Sequence, residues 1–230
     1  YVDIDRLLEL TKQVAPAALP MSVSHRTYRR EPSFTVAIAR DPAFNFMYEA
    51  NIRYLHHLGE VTYFSPLADT SLPDAGFVYL PGGYPELYLA ALSANRPMLQ
   101  SIRRYVENGG KLLAECGGMM YLCDEIRDKN GDVFPMVGVL HQSATMENMK
   151  LRLGYRTLLY NDARLKGHEF HYSRLVEQQD PLPSCAVAYT AKGVETDTPL
   201  YHYKNVWAGY THLYWADPAG NDWFTKFIIK

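Results

Sequence analysis

The chain is poor in cysteine and almost balanced in charge, and each shortage narrows what it does. Three cysteines in 230 residues, Cys116, Cys123 and Cys185, form neither an even set nor a Cys-x-x-Cys pair. That pattern disfavours a disulfide framework or a cysteine zinc site, and a reducing cytoplasm suits it. Twenty-three basic residues against 25 acidic ones leave a formal charge of -2. Such a balance carries no electrostatic footprint for nucleic acid or a membrane surface, so a small-molecule substrate is expected. No apolar run reaches the roughly 18 residues of a membrane span, and no basic-then-apolar leader opens the chain. The phosphate-cradling loop Gly-x-x-x-x-Gly-Lys-[Ser/Thr] does not occur. Internal repeats and low-complexity tracts are missing too.

What is present suffices for a large core, since 47% of the residues are hydrophobic. From Asp3 to Val14 the apolar residues Ile4, Leu7, Leu8 and Leu10 fall near helical spacing, with Asp3 or Asp5 as N-cap and Ala15-Pro16 as the stop. The stretch from Pro20 to Pro32 is polar and basic without periodicity and reads as a linker. A chain that opens on Tyr1 in a helical phrase reads as cut from something longer, with a domain beginning at residue 33 and running to 230. Within it, strands are predicted at Phe34–Ala39, Val61–Phe64, Gly76–Leu80 and Leu112–Ala114. Helices are predicted at Phe46–Leu58, about Pro85–Leu92 and Pro97–Glu107. This grammar is that of an α/β domain with a mostly parallel sheet covered by helices, whose ligands bind at the carboxyl ends of the strands. Beyond Asp124 the pattern turns to extra strands, with candidates at Val137–His141, Leu153–Leu159, Glu169–Leu175, Ala186–Thr190 and Val206–Tyr210. A closing amphipathic helix is expected over Asn221–Lys230.

One corner carries chemistry. The strand Leu112–Ala114 runs through Glu115 into Cys116-Gly117-Gly118 and a helix from Met119, so the cysteine sits on a sharp strand-to-helix turn. Such a turn lifts a nucleophile out of the sheet, and the small residues after it leave the backbone amides open to a substrate. The alternative is a turn kept small for packing. A free thiol needs a base, and His212, just after the strand at Val206–Tyr210, supplies one on the same rim unless it is an ordinary buried or capping histidine. Gly82-Gly83, directly after another strand, either merely ends that strand or brings a second set of amides to the rim, in which case the Gly83 and Gly117 N–H groups are the natural pair for an oxyanion. His168-Glu169-Phe170-His171 has its histidines three apart in a strand-like segment, which points them to opposite faces and argues against a metal.

Leu80-Pro81-Gly82-Gly83-Tyr84-Pro85-Glu86-Leu87, Ser93-Ala94-Asn95-Arg96 and Ala114-Glu115-Cys116-Gly117-Gly118-Met119-Met120-Tyr121-Leu122 resemble the glutamine amidotransferase domain of cobyrinic acid a,c-diamide synthases. Gly167-His168-Glu169-Phe170-His171-Tyr172-Ser173 and the His212-Leu213 segment follow in the family's order, so the resemblance spans about Phe34 to Trp215. It implies a class I amidotransferase-like, flavodoxin-like fold and a Cys116–His212 dyad that hydrolyses L-glutamine through a thioester. Gly83 and Gly117 would form the oxyanion hole, and Gly82, Tyr84 and His168 would lie about the glutamine. Residues 1–32 would then be the tail of a preceding synthetase domain and its linker. That absent domain would bind ATP, magnesium and the tetrapyrrole, leaving this chain with no cofactor of its own. Triad amidotransferases place a carboxylate two residues after the histidine, and here Tyr214 stands there, with Asp217 further on and Glu115 or Glu169 the spatial candidates. A dyad without a fixed orienter would be active only with its partner domain. The rival readings are a stand-alone cysteine hydrolase or peptidase on the same elbow, and a catalytically silent binding domain.

Overall fold

The computed structural model describes residues 3–12, 34–179 and 181–229; the expected linker at 20–32 lies outside them. Helix α1 (Ile4–Lys12) starts as expected at Asp3, whose carboxylate accepts the Arg6 amide at 3.0 Å. The domain proper opens with β1 (Thr35–Ala39), a short β2 (Phe44–Phe46), α2 (Glu49–Leu58), β3 (Glu60–Phe64), β4 (Phe77–Leu80) and β5 (Gly82–Gly83). After a single 3-10 turn at Pro85–Leu87 come α3 (Leu89–Ala94), α4 (Arg96–Glu107), β6 (Lys111–Glu115) and α5 (Gly117–Leu122). Asn95 caps α4 through the Met98 amide and ties it to the preceding loop by donating to the carbonyls of Pro66 and Asp69, both at 2.8 Å.

The second half supplies β7 (Glu125–Arg127), β8 (Val133–Pro135), β9 (Ser143–Thr145), β10 (Arg152–Tyr160), β11 (Ala163–His171), β12 (Arg174–Leu175), β13 (Val187–Thr190), β14 (Glu195–Thr196), β15 (Leu200–Tyr203), β16 (Val206–Gly209) and β17 (His212–Tyr214). Helix α6 (Pro218–Phe224) continues into a π-helical segment, Thr225–Ile229. The central sheet has the order β15-β16-β6-β4-β1-β3, parallel except for β15 at one edge. A five-stranded antiparallel sheet, β14-β13-β10-β11-β17, and a four-stranded one, β12-β9-β7-β8, account for the added strands.

The central strands are apolar on both faces because both faces are covered. Ala37, Ala39, Val78, Leu80, Leu112 and Ala114 point to a core shared with α3, α4 and α5. The alternate residues Val36, Ile38, Phe77, Tyr79 and Leu113 point to a second core with α2, α6 and the five-stranded sheet.

Four sequence expectations are corrected. Helix α2 begins at Glu49, and Phe46 belongs to β2, since Asp41 holds the Ala43 and Phe44 amides at 2.8 and 3.1 Å and turns the chain into a strand. Val137–His141 is no strand: Gly138 has φ 70°, and the amides of Val137, Gly138, Val139 and Leu140 bond back to carbonyls of Tyr121, Cys123 and Leu122 at the end of α5. Glu169–Leu175 splits between β11 and β12. The last helix starts at Pro218 instead of Asn221.

Candidate active site

The corner between β6 and α5 is as sharp as its sequence implies. Cys116 adopts φ 50° and ψ -109°, outside the ordinary regions for a residue with a side chain. A conformation of that kind costs of order 1–3 kcal/mol and persists where the surroundings enforce it. Here the Cys116 amide donates to Gly209 of β16 at 2.8 Å, and its carbonyl accepts the Met120 amide at 3.0 Å. The turn also lies hard against β4: a Cβ on Gly118 would sit 2.1 Å from the Leu80 carbonyl oxygen. Only glycine permits that approach.

The Gly82-Gly83 turn meets this corner from the side. A Cβ on Gly117 would lie 3.1 Å from the Gly83 oxygen and 3.2 Å from the Gly83 nitrogen, so the two glycine backbones are in contact. Gly83 is itself pressed against β2, where an added Cβ would meet the Ala43 oxygen at 2.1 Å, and the Tyr84 amide donates to that same oxygen at 3.0 Å. Antiparallel pairing of β2 with β5 therefore fixes the turn that faces the thiol.

His212 opens β17 and pairs with His168 on β11. Its strand is clamped from the other side by two buried polar side chains. Asn51 of α2 donates to the Leu213 carbonyl at 2.8 Å and accepts the Trp215 amide at 3.0 Å. Glu115, the residue before the cysteine, accepts the Leu213 amide at 3.0 Å, the Trp215 indole N–H at 3.4 Å and the Tyr79 hydroxyl at 2.6 Å. One carboxylate thus ties the thiol's strand to the histidine's strand. The imidazole itself packs against Gly82, whose added Cβ would be 2.2 Å from the His212 Cε1.

Cys116, His212, Gly83, Tyr84, His168, Phe46 and Phe170 line one cavity of about 130 Å³. All the sequence-predicted site residues but Gly82 and Gly117 are in its wall; Gly82 abuts the His212 ring and Gly117 the Gly83 backbone. Burial pushes the Cys116 thiol up to about 12, against a smaller opposing effect of the Gly117 amide. Burial, then the neighbouring His168 and His171, drops the His212 imidazole to about 3. Both groups are neutral at pH 7, with the proton on sulfur. His171 does not share the cavity with His168. It stacks on Tyr210 at 3.8 Å and is bonded at Nδ1 to the Ser173 carbonyl. No group of metal-ligating side chains occurs among the described residues.

Of the spatial candidates to orient His212, neither carboxylate reaches the ring. Glu115 is occupied as above, and Glu169 is bound to Arg156 at 2.6 Å. Sequence reasoning missed Phe46, Tyr48 and Asn51. The signal for Asn51 is its register, since Leu55 and Leu58 follow on the same buried face of α2.

A doubly covered, mostly parallel sheet with a strained thiol at the end of a central strand is the architecture of the class I glutamine amidotransferases. The chain aligns with PurLQS from Thermotoga maritima at TM-score 0.55 and 18% identity, covering 78% of this chain and 87% of that one. It aligns with a second solved structure, a glutamine amidotransferase, at TM-score 0.55 and 16% identity over 85% of this chain and 99% of the other. The sequence narrows the class: the chain belongs to the CobB/CobQ-like glutamine amidotransferase domain family, which it matches over residues 35–220. It is 37% identical over 218 residues to the hydrogenobyrinate a,c-diamide synthase of Stutzerimonas stutzeri, covering 92% of this chain and 50% of that protein. It is also 37% identical over 234 residues to the cobyrinate a,c-diamide synthase of Dehalococcoides mccartyi, covering 94% of this chain and 49% of that protein. The chain thus spans about half the length of these relatives.

Proposed function

We propose that this chain is the glutaminase half of an ATP-dependent amide synthase that converts the a and c acetate side chains of a corrinoid precursor to amides. The observation that carries the reading is the strained Cys116 sharing one small cavity with His212, beside the Gly83 and Gly117 backbones. Glutamine enters that cavity with its carboxamide towards the sulfur. The thiol proton moves to His212 as Sγ bonds to the carboxamide carbon, and the Gly83 and Gly117 N–H groups hold the oxyanion. The C–N bond then breaks, and His212 returns the proton to the leaving nitrogen, which departs as ammonia. Water, deprotonated by His212, cleaves the glutamyl thioester to glutamate and restores the thiol.

With the sulfur at about 12 and the imidazole at about 3, an ion pair between them is strongly disfavoured. Proton transfer is therefore coupled to bond formation, and the resting thiol is quiet. That suits a domain whose ammonia is useful only when an acceptor is ready. In this reading a synthetase domain joined to this chain binds ATP with magnesium and the tetrapyrrole, and the whole acts in the cytoplasm. Glutaminase turnover rises when that domain is joined; equal turnover with and without it sinks the coupling.

The test of the reading itself is labelling with diazo-oxo-norleucine, a glutamine-like electrophile, together with glutamate release. Labelling falls on Cys116, and Cys116→Ser loses both label and turnover. Cleavage of peptides in place of glutamine points to the stand-alone hydrolase, and absence of any labelling or turnover in the full-length polypeptide points to a silent binding domain.

A further inference from the structure

We infer that His212 is held in its working orientation by ring packing, with Phe46 and His168 as positioning residues, in place of the carboxylate that orients a triad histidine. The inference rests on the glutaminase reading for what the ring does, and on geometry alone for how it is held. The His212 Nδ1 is buried and has no hydrogen-bond partner among the described residues. Glu115 and Glu169 are occupied elsewhere. Tyr214, where a carboxylate would stand, instead packs edge-on against Tyr48 at 5.5 Å.

Three contacts define the ring plane. Phe46 meets it edge-to-face with centroids 4.5 Å apart at 62°. His168 stacks on it at 5.0 Å and 21°. Gly82 abuts its Cε1 edge with no room for a methyl group. Together they restrict the imidazole on the sides away from the cavity, and aromatic pairs at such distances attract beyond their burial.

His168 is itself fixed. The Tyr48 hydroxyl lies 2.5 Å from the His168 Nδ1, and the hydrogen bond between them anchors that ring. Phe46 is fixed through the pairing of β2 with β5. The β2–β5 pair therefore presents both the Gly83 amide and the Phe46 ring.

The test separates ring packing from polar contact with glutamine. His168→Ala and Phe46→Ala each lower kcat by roughly 10- to 100-fold, the range expected for misplacing a catalytic group by about 1 Å, with KM little changed. His168→Phe keeps the stack without the nitrogens and recovers most of the loss. Tyr48→Phe frees His168 and falls between wild type and His168→Ala. In parallel, long-range proton–nitrogen NMR of the chain follows the His212 ring nitrogens, which shift or broaden in His168→Ala and return in His168→Phe. Circular dichroism of every variant excludes unfolding. A His168→Phe variant as impaired as His168→Ala, or a loss confined to KM, overturns the inference and makes His168 a glutamine contact. If wild type hydrolyses no glutamine, the glutaminase reading fails, and the NMR comparison alone decides the positioning role.

Discussion

Replacing Gly82 by alanine puts one methyl group against the edge of His212. Gly82 is not among the residues with positive φ, so alanine suits the backbone and the perturbation is confined to the added carbon. That carbon would stand 2.2 Å from the His212 Cε1 and 2.9 Å from Nδ1, whereas unstrained carbons rest about 3.5–4.0 Å apart. The ring must retreat by more than about 1 Å, and with Phe46 and His168 packed against it, it leaves its place in the cavity it shares with Cys116. A displacement of that size costs about 100-fold in rate. Overpacking costs about 1–3 kcal/mol of stability, a Tm decrease of several degrees in a domain of this size. Glutamate release with saturating glutamine, on this chain and on the full-length polypeptide, reads the first effect, and thermal unfolding reads the second. Wild-type turnover in a Gly82→Ala variant whose Tm has fallen would refute the reasoning, because the methyl would then be accommodated without moving the base.

Other perturbations reach the same dyad from further away. Burial raises the Glu115 carboxyl from 4.5 to about 7. The folded chain therefore holds this proton more tightly than the unfolded chain, so the contribution is complete below about pH 4.5 and is lost as pH rises through about 7, about 3 kcal/mol in all. Glu115→Gln flattens that slope in denaturant titrations run at several pH values, and an unchanged slope assigns it to another group. Asn51→Leu strands the Leu213 carbonyl and the Trp215 amide in the core, at about 1–3 kcal/mol each; urea midpoints and glutamate release both fall, and a loss in neither contradicts the clamp. Iodoacetamide alkylation of Cys116 in the absence of glutamine stays slow through pH 9, because burial holds the thiol at about 12. Rapid alkylation at pH 7 would show a thiolate already formed.

The central sheet was legible because its strands, buried on both faces, are short apolar runs between glycine and proline signals. The corner at Cys116 was legible because Glu-Cys-Gly-Gly between an apolar run and Met-Met-Tyr-Leu leaves few alternatives. What orders the base was not. Phe46 reads as the start of the helix that follows, since β2 is three residues long and is created by pairing with Gly82-Gly83 some 40 positions on. The Asp41-Pro42 turn before it was the available clue. Asn51 and Glu115 look like helix and strand punctuation until both are seen to grip β17, a contact between remote segments that periodicity does not encode. Val137–His141 has the composition of a strand, but its amides are spent on the carbonyls at the end of α5, and Gly138 breaks the extended run. Local patterns revealed the elements and the corner at Cys116; the packing around His212 comes from long-range contacts.

In the proposed reaction the Cys116 sulfur takes the glutamyl group from glutamine covalently. Mixing the full-length polypeptide with glutamine, quenching in acid within the first turnover and mapping the peptides by mass spectrometry tests it directly. A glutamyl thioester is expected on the peptide carrying Cys116, accumulating when hydrolysis is slowed and missing in Cys116→Ala. Glutamate release that persists in Cys116→Ala, with no adduct on the wild-type peptide, would contradict it.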